Sequence, residues 1–140
     1  MSQKTIYNYN QIIPEWNESL EIGIGSIDRE HRFFIDLIRD VYDEGIRKPR
    51  SELIRDYIEE IILYARFHFF SEEIFMRKIG YPELESHKKL HLQLIGKLSD
   101  QVARYQMKET DLSEIVEFLV NWLKYHILVE DVKIASFALS

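Results

Sequence analysis

PELESHKKLHLQLIGKLSDQVARYQ, residues 82–106, decides the fold. Leu90, Leu94, Leu98 and Val102 recur every fourth residue, which draws one apolar face along a helix. His87 and His91 share that spacing, so their rings lie one turn apart on one face. Gly96 sits inside the pattern at a cost of about 1 kcal/mol relative to alanine. A glycine there points to a close approach between helices. A long helix with one apolar face needs other helices to cover it.

Three further stretches supply them. Upstream, Leu53, Ile54, Tyr57, Ile58, Ile61, Ile62 and Ala65 mark a helix that begins near Ser51, an N-cap residue, and runs to about Ile79. Gly80-Tyr81-Pro82 stops it, because glycine suits the residue after a helix and proline cannot continue one. Before that, Phe34, Ile35, Leu37, Ile38, Val41 and Tyr42 predict a helix from Ser26 or Ile27 to about Ile46, with Gly45 and Pro49 marking its end. Downstream, Asp111 and Glu114 resemble a capping box. Ile115, Phe118, Leu119, Trp122 and Leu123 then carry a fourth helix to about Val129 or beyond. Four long amphipathic helices with short joints predict an all-α, up-down-up-down antiparallel four-helix bundle. The expected layout is a single domain over 1–140. An irregular N-terminal arm, 1–25, packs on the body through Trp16, Leu20 and Ile22; the bundle is 26–131, and 132–140 is a C-terminal extension.

The chain has 140 residues, a formal charge of −6 and no cysteine. An acidic chain without a basic stripe is a poor partner for nucleic acid or an anionic membrane. The lack of cysteine excludes disulfides and thiolate metal sites. The N-terminus carries no basic segment followed by an apolar one, and no apolar run approaches the ~20 residues that span a bilayer. The expectation is a cytoplasmic protein.

All five histidines fall on the four helices: His31, His68, the pair His87 and His91, and His126. His68 and Glu72 repeat the four-residue spacing of the pair. A lone helical histidine is usually a surface or hydrogen-bonded core residue. Here His68 lies among Phe67, Phe69 and Phe70, and His126 follows Trp122 and Leu123. Neutral imidazoles gathered in a core need partners for their ring nitrogens, and a metal supplies them. Imidazole with carboxylate suits Fe, Mn, Zn or Cu. Five histidines plus carboxylates exceed the four ligands of a structural zinc, so two ions are more natural. No histidine has a Glu three residues before it, which disfavours the paired Glu-x-x-His arrangement.

Four motifs in order resemble the hemerythrin family, specifically its bacterial single-domain members. They are Trp16-Asn17-Glu18-Ser19-Leu20 with Ile27-Asp28-Arg29-Glu30-His31; His68-Phe69-x-x-Glu72-Glu73-x-x-Met76; Tyr81-Pro82 with His87-x-x-x-His91; and Trp122-Leu123-x-x-His126-Ile127-x-x-x-Asp131. The bundle fold is a known example for this family.

The resemblance implies two iron ions, cycling between Fe2+ and Fe3+, with an oxo or hydroxo bridge. His31 and His68 would hold the iron that keeps an open position. His87, His91 and His126 would hold the other, and Glu72 and Asp131 would bridge both. Phe69, Trp122 and Leu123 would line an O2 pocket, and Phe34 would join them. The fourth helix poses a conflict. Glu130 lies four residues after His126, whereas Asp131, five residues on, sits roughly 140° round a regular helix. Following the family requires the helix to be irregular or to end between Val129 and Asp131.

The implied function is reversible O2 binding by a carrier, store or delivery protein, with no catalytic residue and no enzymatic activity. The alternatives are an O2 or redox sensor, or a di-iron peroxidase or nitric-oxide handling enzyme. O2 is the expected ligand, and the arm or Lys133 to Ser140 could bind an O2-consuming or signalling partner.

Overall fold

Each helix begins or stops where its local chemistry dictates. The structure, a computed structural model, describes residues 13–140; residues 1–12 of the expected arm lie outside the described residues. The first helix, α1, spans Gly25–Arg47. Its N-terminus has no side-chain cap of its own. Asp28 instead reaches back from the first turn and accepts from the backbone N–H groups of Ile22 (2.8 Å) and Gly23 (3.1 Å), which ties the arm to the helix.

Helix α2 spans Leu53–Ile79. The Ser51 hydroxyl accepts from the Leu53 N–H at 3.1 Å and donates to Glu44 at 2.5 Å, so the expected cap also clasps the end of α1. At the other end Gly80 adopts φ 70°, a left-handed conformation that favours glycine. Tyr81 N–H donates to Met76 O at 2.9 Å and Gly80 N–H to Arg77 O at 3.2 Å, the paired bonds of a Schellman stop. Helix α3, Leu84–Gln106, starts directly afterwards. Helix α4, Leu112–Tyr125, opens on the Asp111 carboxylate, which accepts from Glu114 N–H at 3.0 Å. The Glu114 carboxylate takes the Thr110 hydroxyl, so the box closes one residue early.

The four helices pack as a ring: α1 on α2, α2 on α3, α3 on α4, and α4 back on α1. Their short joints make neighbours antiparallel. The core runs through the ring and takes in Phe34, Ile38, Ile61, Ile115 and Leu119. The arm completes it, since Ile13, Leu20 and Ile22 are buried and Trp16 packs against them. Arg39 pins the arm by donating to Pro14 O at 2.9 Å.

The glycines differ from expectation. Gly45 lies within α1 rather than at its end, and a Cβ there would meet Leu112 Cδ2 at 2.3 Å. A Cβ added at Gly96 would find no neighbour within 4 Å, so the close helix approach belongs to Gly45. The fourth helix also does not stop. After Tyr125 it passes through a π-helical turn, His126–Asp131, and resumes as α5, Val132–Ala138. Helix α5 packs on the α2–α3 turn. Ile134 joins Met76 and Tyr81 in a small cluster, and Phe137 meets the Tyr81 ring edge-on at 5.6 Å.

Candidate metal centre

Seven side chains from all four walls of the bundle meet in its interior: His31, His68, Glu72, His87, His91, His126 and Asp131. Each is at most 4% exposed. The chain delivers them by helical spacing. The four-residue steps His68 to Glu72 and His87 to His91 direct each pair to one side. Asp131 needs the π turn, because i→i+5 hydrogen bonding brings residues five apart onto a common face. Glu130, the residue that a regular helix would favour, is drawn to Lys133 at 3.4 Å instead.

The donors form two groups, either of which could hold a metal ion. One is Glu72, His87, His91 and His126; the other is His31, His68, Glu72 and Asp131. Within each group the ligand-type atoms lie within 4.8 Å of one another. Glu72 belongs to both. Its Oε1 is 2.8 Å from His87 Nε2, 2.9 Å from His91 Nε2 and 3.3 Å from His126 Nε2, whereas Oε2 faces His68 Nε2 at 3.4 Å and His31 Nε2 at 3.9 Å. Asp131 divides in the same way. Oδ2 lies 2.9 Å from His31 Nε2, and Oδ1 lies 3.1 Å from His126 Nε2 and 3.3 Å from His87 Nε2. Two carboxylates therefore span two unequal sets of histidines.

Several of these atoms are buried without a hydrogen bond: both ring nitrogens of His31, His68 Nε2, Glu72 Oε2 and both oxygens of Asp131. Some are close together, yet the pairs lack hydrogen-bond alignment. An unpaired buried polar group costs about 1–3 kcal/mol, so a converging set needs a further partner. Imidazole nitrogens and carboxylate oxygens with no thiolate are the donors that divalent first-row metals take.

The carboxylates and imidazoles of the centre stabilise one another's charged forms. Burial opposes the charged form of Glu72, but hydrogen bonds from His126, His87 and His91 hold it well below the usual carboxylate range. Burial and the Glu72 charge push Asp131 up, and His126 and His31 outweigh them, leaving it at about 2. Burial likewise works against charged His126, which Asp131 and Glu72 nonetheless raise to about 10. His87 is raised to about 9 by the same two carboxylates against its own burial.

Two outer carboxylates were missed in the sequence as partners of the histidines. His68 Nδ1 donates to Glu30 Oε1 at 2.7 Å, and the Ser71 hydroxyl donates to Glu30 Oε2 at 2.8 Å. The Glu30 backbone carbonyl also accepts from Tyr64 Oη at 2.9 Å. His91 Nδ1 donates to Glu73 Oε2 at 2.8 Å. A carboxylate can only accept, so each bond holds a proton on Nδ1 and turns the opposite nitrogen, Nε2, to the centre, where that of His91 meets Glu72 Oε1. Glu30 was legible only as part of the Asp28-Arg29-Glu30-His31 motif, and Glu73 only as a rival of Glu72.

An aromatic wall closes one side. Phe69 stacks on His91 with centroids 4.1 Å apart and 8° between planes, and Trp122 stacks on His126 at 5.6 Å. Phe34 and Phe69 meet the Trp122 ring edge-on at 5.5 and 5.4 Å, and Phe34 also faces His68 at 6.4 Å. Leu123 is buried next to Ile127 and lines a small apolar cavity under the arm with Ile13, Pro14 and Leu20.

A sequence model described as "Hemerythrin HHE cation binding domain" matches residues 22–138. The chain belongs to the hemerythrin family. Among relatives, a bacteriohemerythrin of Clostridium acetobutylicum is 34% identical over 125 residues, covering 83% of this chain and 94% of that protein. A bacteriohemerythrin of Pseudomonas aeruginosa is 33% identical over 116 residues, covering 83% and 75%. A myohemerythrin of Theromyzon tessulatum is 30% identical over 115 residues, covering 80% and 88%. A crystal structure of wild-type hemerythrin matches the fold with a TM-score of 0.73 at 24% identity, over 96% of this chain and 98% of that one. Among the described residues no helix is long and apolar enough to cross a membrane.

Proposed function

We propose that this hemerythrin-family chain holds two iron ions and binds O2 reversibly, as a carrier, store or delivery protein. The observation that carries the reading is the division of each carboxylate between unequal histidine sets. His87, His91 and His126 would hold one iron and His31 and His68 the other, with Glu72 and Asp131 shared and an oxo or hydroxo bridge between the ions. With one histidine fewer, the His31 and His68 half of the site would leave room for a small ligand on its ion. The irons, when bound, supply the electrons that O2 takes up and returns.

The chain's own part is to orient and to exclude. Glu30 and Glu73 fix the tautomers of His68 and His91, so that Nε2 of each is a lone-pair donor. Phe34, Phe69 and Trp122 offer no titratable group, and their packing would keep water and protons from the interior, which favours release of intact O2 over its loss in reduced form with the irons left oxidised. Leu123, three residues before His126, would act as a seal on the arm side; the cavity it lines there holds none of the metal-binding side chains. An enzyme would need a proton donor facing the centre beyond the ligands; the two outer carboxylates approach the histidines from behind. The test is metal analysis of the purified chain together with its absorption. Two irons per chain and a charge-transfer band that appears in air support the reading; a single zinc ion contradicts it.

A further inference from the structure

Helix α2 carries an apolar stripe that the bundle does not use. Leu63, Phe67, Phe70 and Ile74 follow one another at spacings of four, three and four residues. At 100° per residue they fall within roughly 60° of arc, the narrow seam of a helix that pairs with another helix. The face is turned outwards: these side chains are between 48% and 62% exposed. Phe33 of α1, 48% exposed, widens the patch; its ring meets Tyr64 edge-on at 5.0 Å, and Tyr64 in turn lies 5.8 Å from Phe67. A contiguous seam of this kind differs from apolar side chains scattered singly over a surface.

Charges at the two ends of the stripe indicate what covers it. Glu59 and Glu60 precede it, and Arg77 and Lys78 follow it; all four are exposed and, among the described residues, none makes an ion pair. Glu60 and Lys78 lie roughly 50° to one side of the seam, and Glu59 and Arg77 roughly 50° to the other. We propose that the α2 stripe is the contact surface for a second copy of this chain, joined antiparallel about a twofold axis that passes between positions 68 and 69 of the two helices.

That axis sets Phe67 against the partner's Phe70 and Leu63 against the partner's Ile74. A twofold axis perpendicular to both helices keeps each flank facing its own equivalent. Glu60 therefore faces the partner's Lys78 and Glu59 faces the partner's Arg77, each within one residue of level, about 1.5 Å. A parallel pair would instead set the two acidic ends against each other, and the two basic ends likewise, which is repulsive. The interface is isologous and closes on itself. Half of a phenylalanine's roughly 200 Å2 at three rings, with Leu63 and Ile74, gives about 500 Å2 per copy; both copies and the charged flanks bring the total to the ~1,000 Å2 at which specific interfaces begin.

Analytical ultracentrifugation of the metal-loaded chain tests this directly. The expected result is a concentration-dependent dimer, with a dissociation constant raised at least tenfold by Phe70→Glu while far-ultraviolet circular dichroism and metal content stay unchanged. Glu60→Lys should weaken the dimer, and adding Lys78→Glu should restore it. A chain that stays monomeric up to about 100 μM, a modest affinity limit, overturns the proposal and leaves the stripe to another partner. A dimer insensitive to Phe70→Glu, or one not restored by the double charge exchange, overturns it as well.

Discussion

Replacing Glu30 with alanine separates the two halves of the centre. Glu30 accepts from His68 and from Ser71, and so supports the half with only two histidines. Alanine leaves His68 Nδ1 buried without its acceptor and frees the ring to rotate. A hydrogen bond to a charged group is worth about 1.5–3 kcal/mol, a factor of about 10–150 in an equilibrium constant. The loss of an outer partner of a metal-binding histidine falls in the same 10–100-fold range. The three-histidine half keeps Glu73 behind His91 and should be little affected. Titration against a graded chelator series should show one ion of Glu30→Ala released 10–100-fold more readily, with stoichiometry falling from two towards one before the second ion leaves. Glu30→Gln keeps an acceptor for His68 and a donor for Ser71 without the charge, so its loss should be smaller, roughly half in free energy. Equal weakening of both ions, or none in either variant, would refute the assignment of Glu30 to one half.

Three other outcomes follow from the same geometry. Leu123→Ala enlarges the cavity between the arm and the fourth helix, costs about 2–5 kcal/mol in stability, and should speed autoxidation by admitting water; an unchanged autoxidation rate in a folded variant counts against the sealing role. Gly96→Ala should stabilise by up to about 1 kcal/mol, because nothing stands within 4 Å of the new methyl, whereas Gly45→Ala meets Leu112 and should gain nothing; thermal unfolding compares them. The metal-free chain should be most stable between about pH 4.5 and 6.5. His87 and His126, raised to about 9 and 10, contribute stability that is present below the ordinary histidine pKa of about 6.5 and is lost as pH rises through those values; Asp131, lowered to about 2, contributes stability that is lost as pH falls from about 4 towards 2. Metal loading should abolish the alkaline loss, since ligated histidines are neutral throughout, and unfolding curves of both forms against pH would reveal a persistent loss if the reasoning fails.

The helices were legible because each carries its own apolar period and its own stop. Ser51, Asp111 and Gly80 act through bonds to residues a few positions away, which a linear pattern records. The in-chain histidine spacings were readable for the same reason. Asp131 was not readable from spacing alone, because the angular argument assumed a regular helix and the chain inserts a π turn at His126–Asp131. Long-range pairings were also hidden. Glu30 lies 38 residues from His68 and Glu73 lies 18 from His91, so only the packed bundle brings them together. In the sequence Gly45 marks a helix end and Gly96 a close approach; what faces each decides otherwise, and Leu112 faces only Gly45.

Two unequal histidine sets that share Glu72 and Asp131 would make a reversible O2 site. The most direct measurement is an oxygenation cycle on the reduced, iron-loaded chain, followed by its visible absorption. Reversible binding requires a charge-transfer band that rises in air, vanishes on removal of O2 and returns over repeated cycles. A band that forms once and is never reversed, with both irons left oxidised, would contradict it.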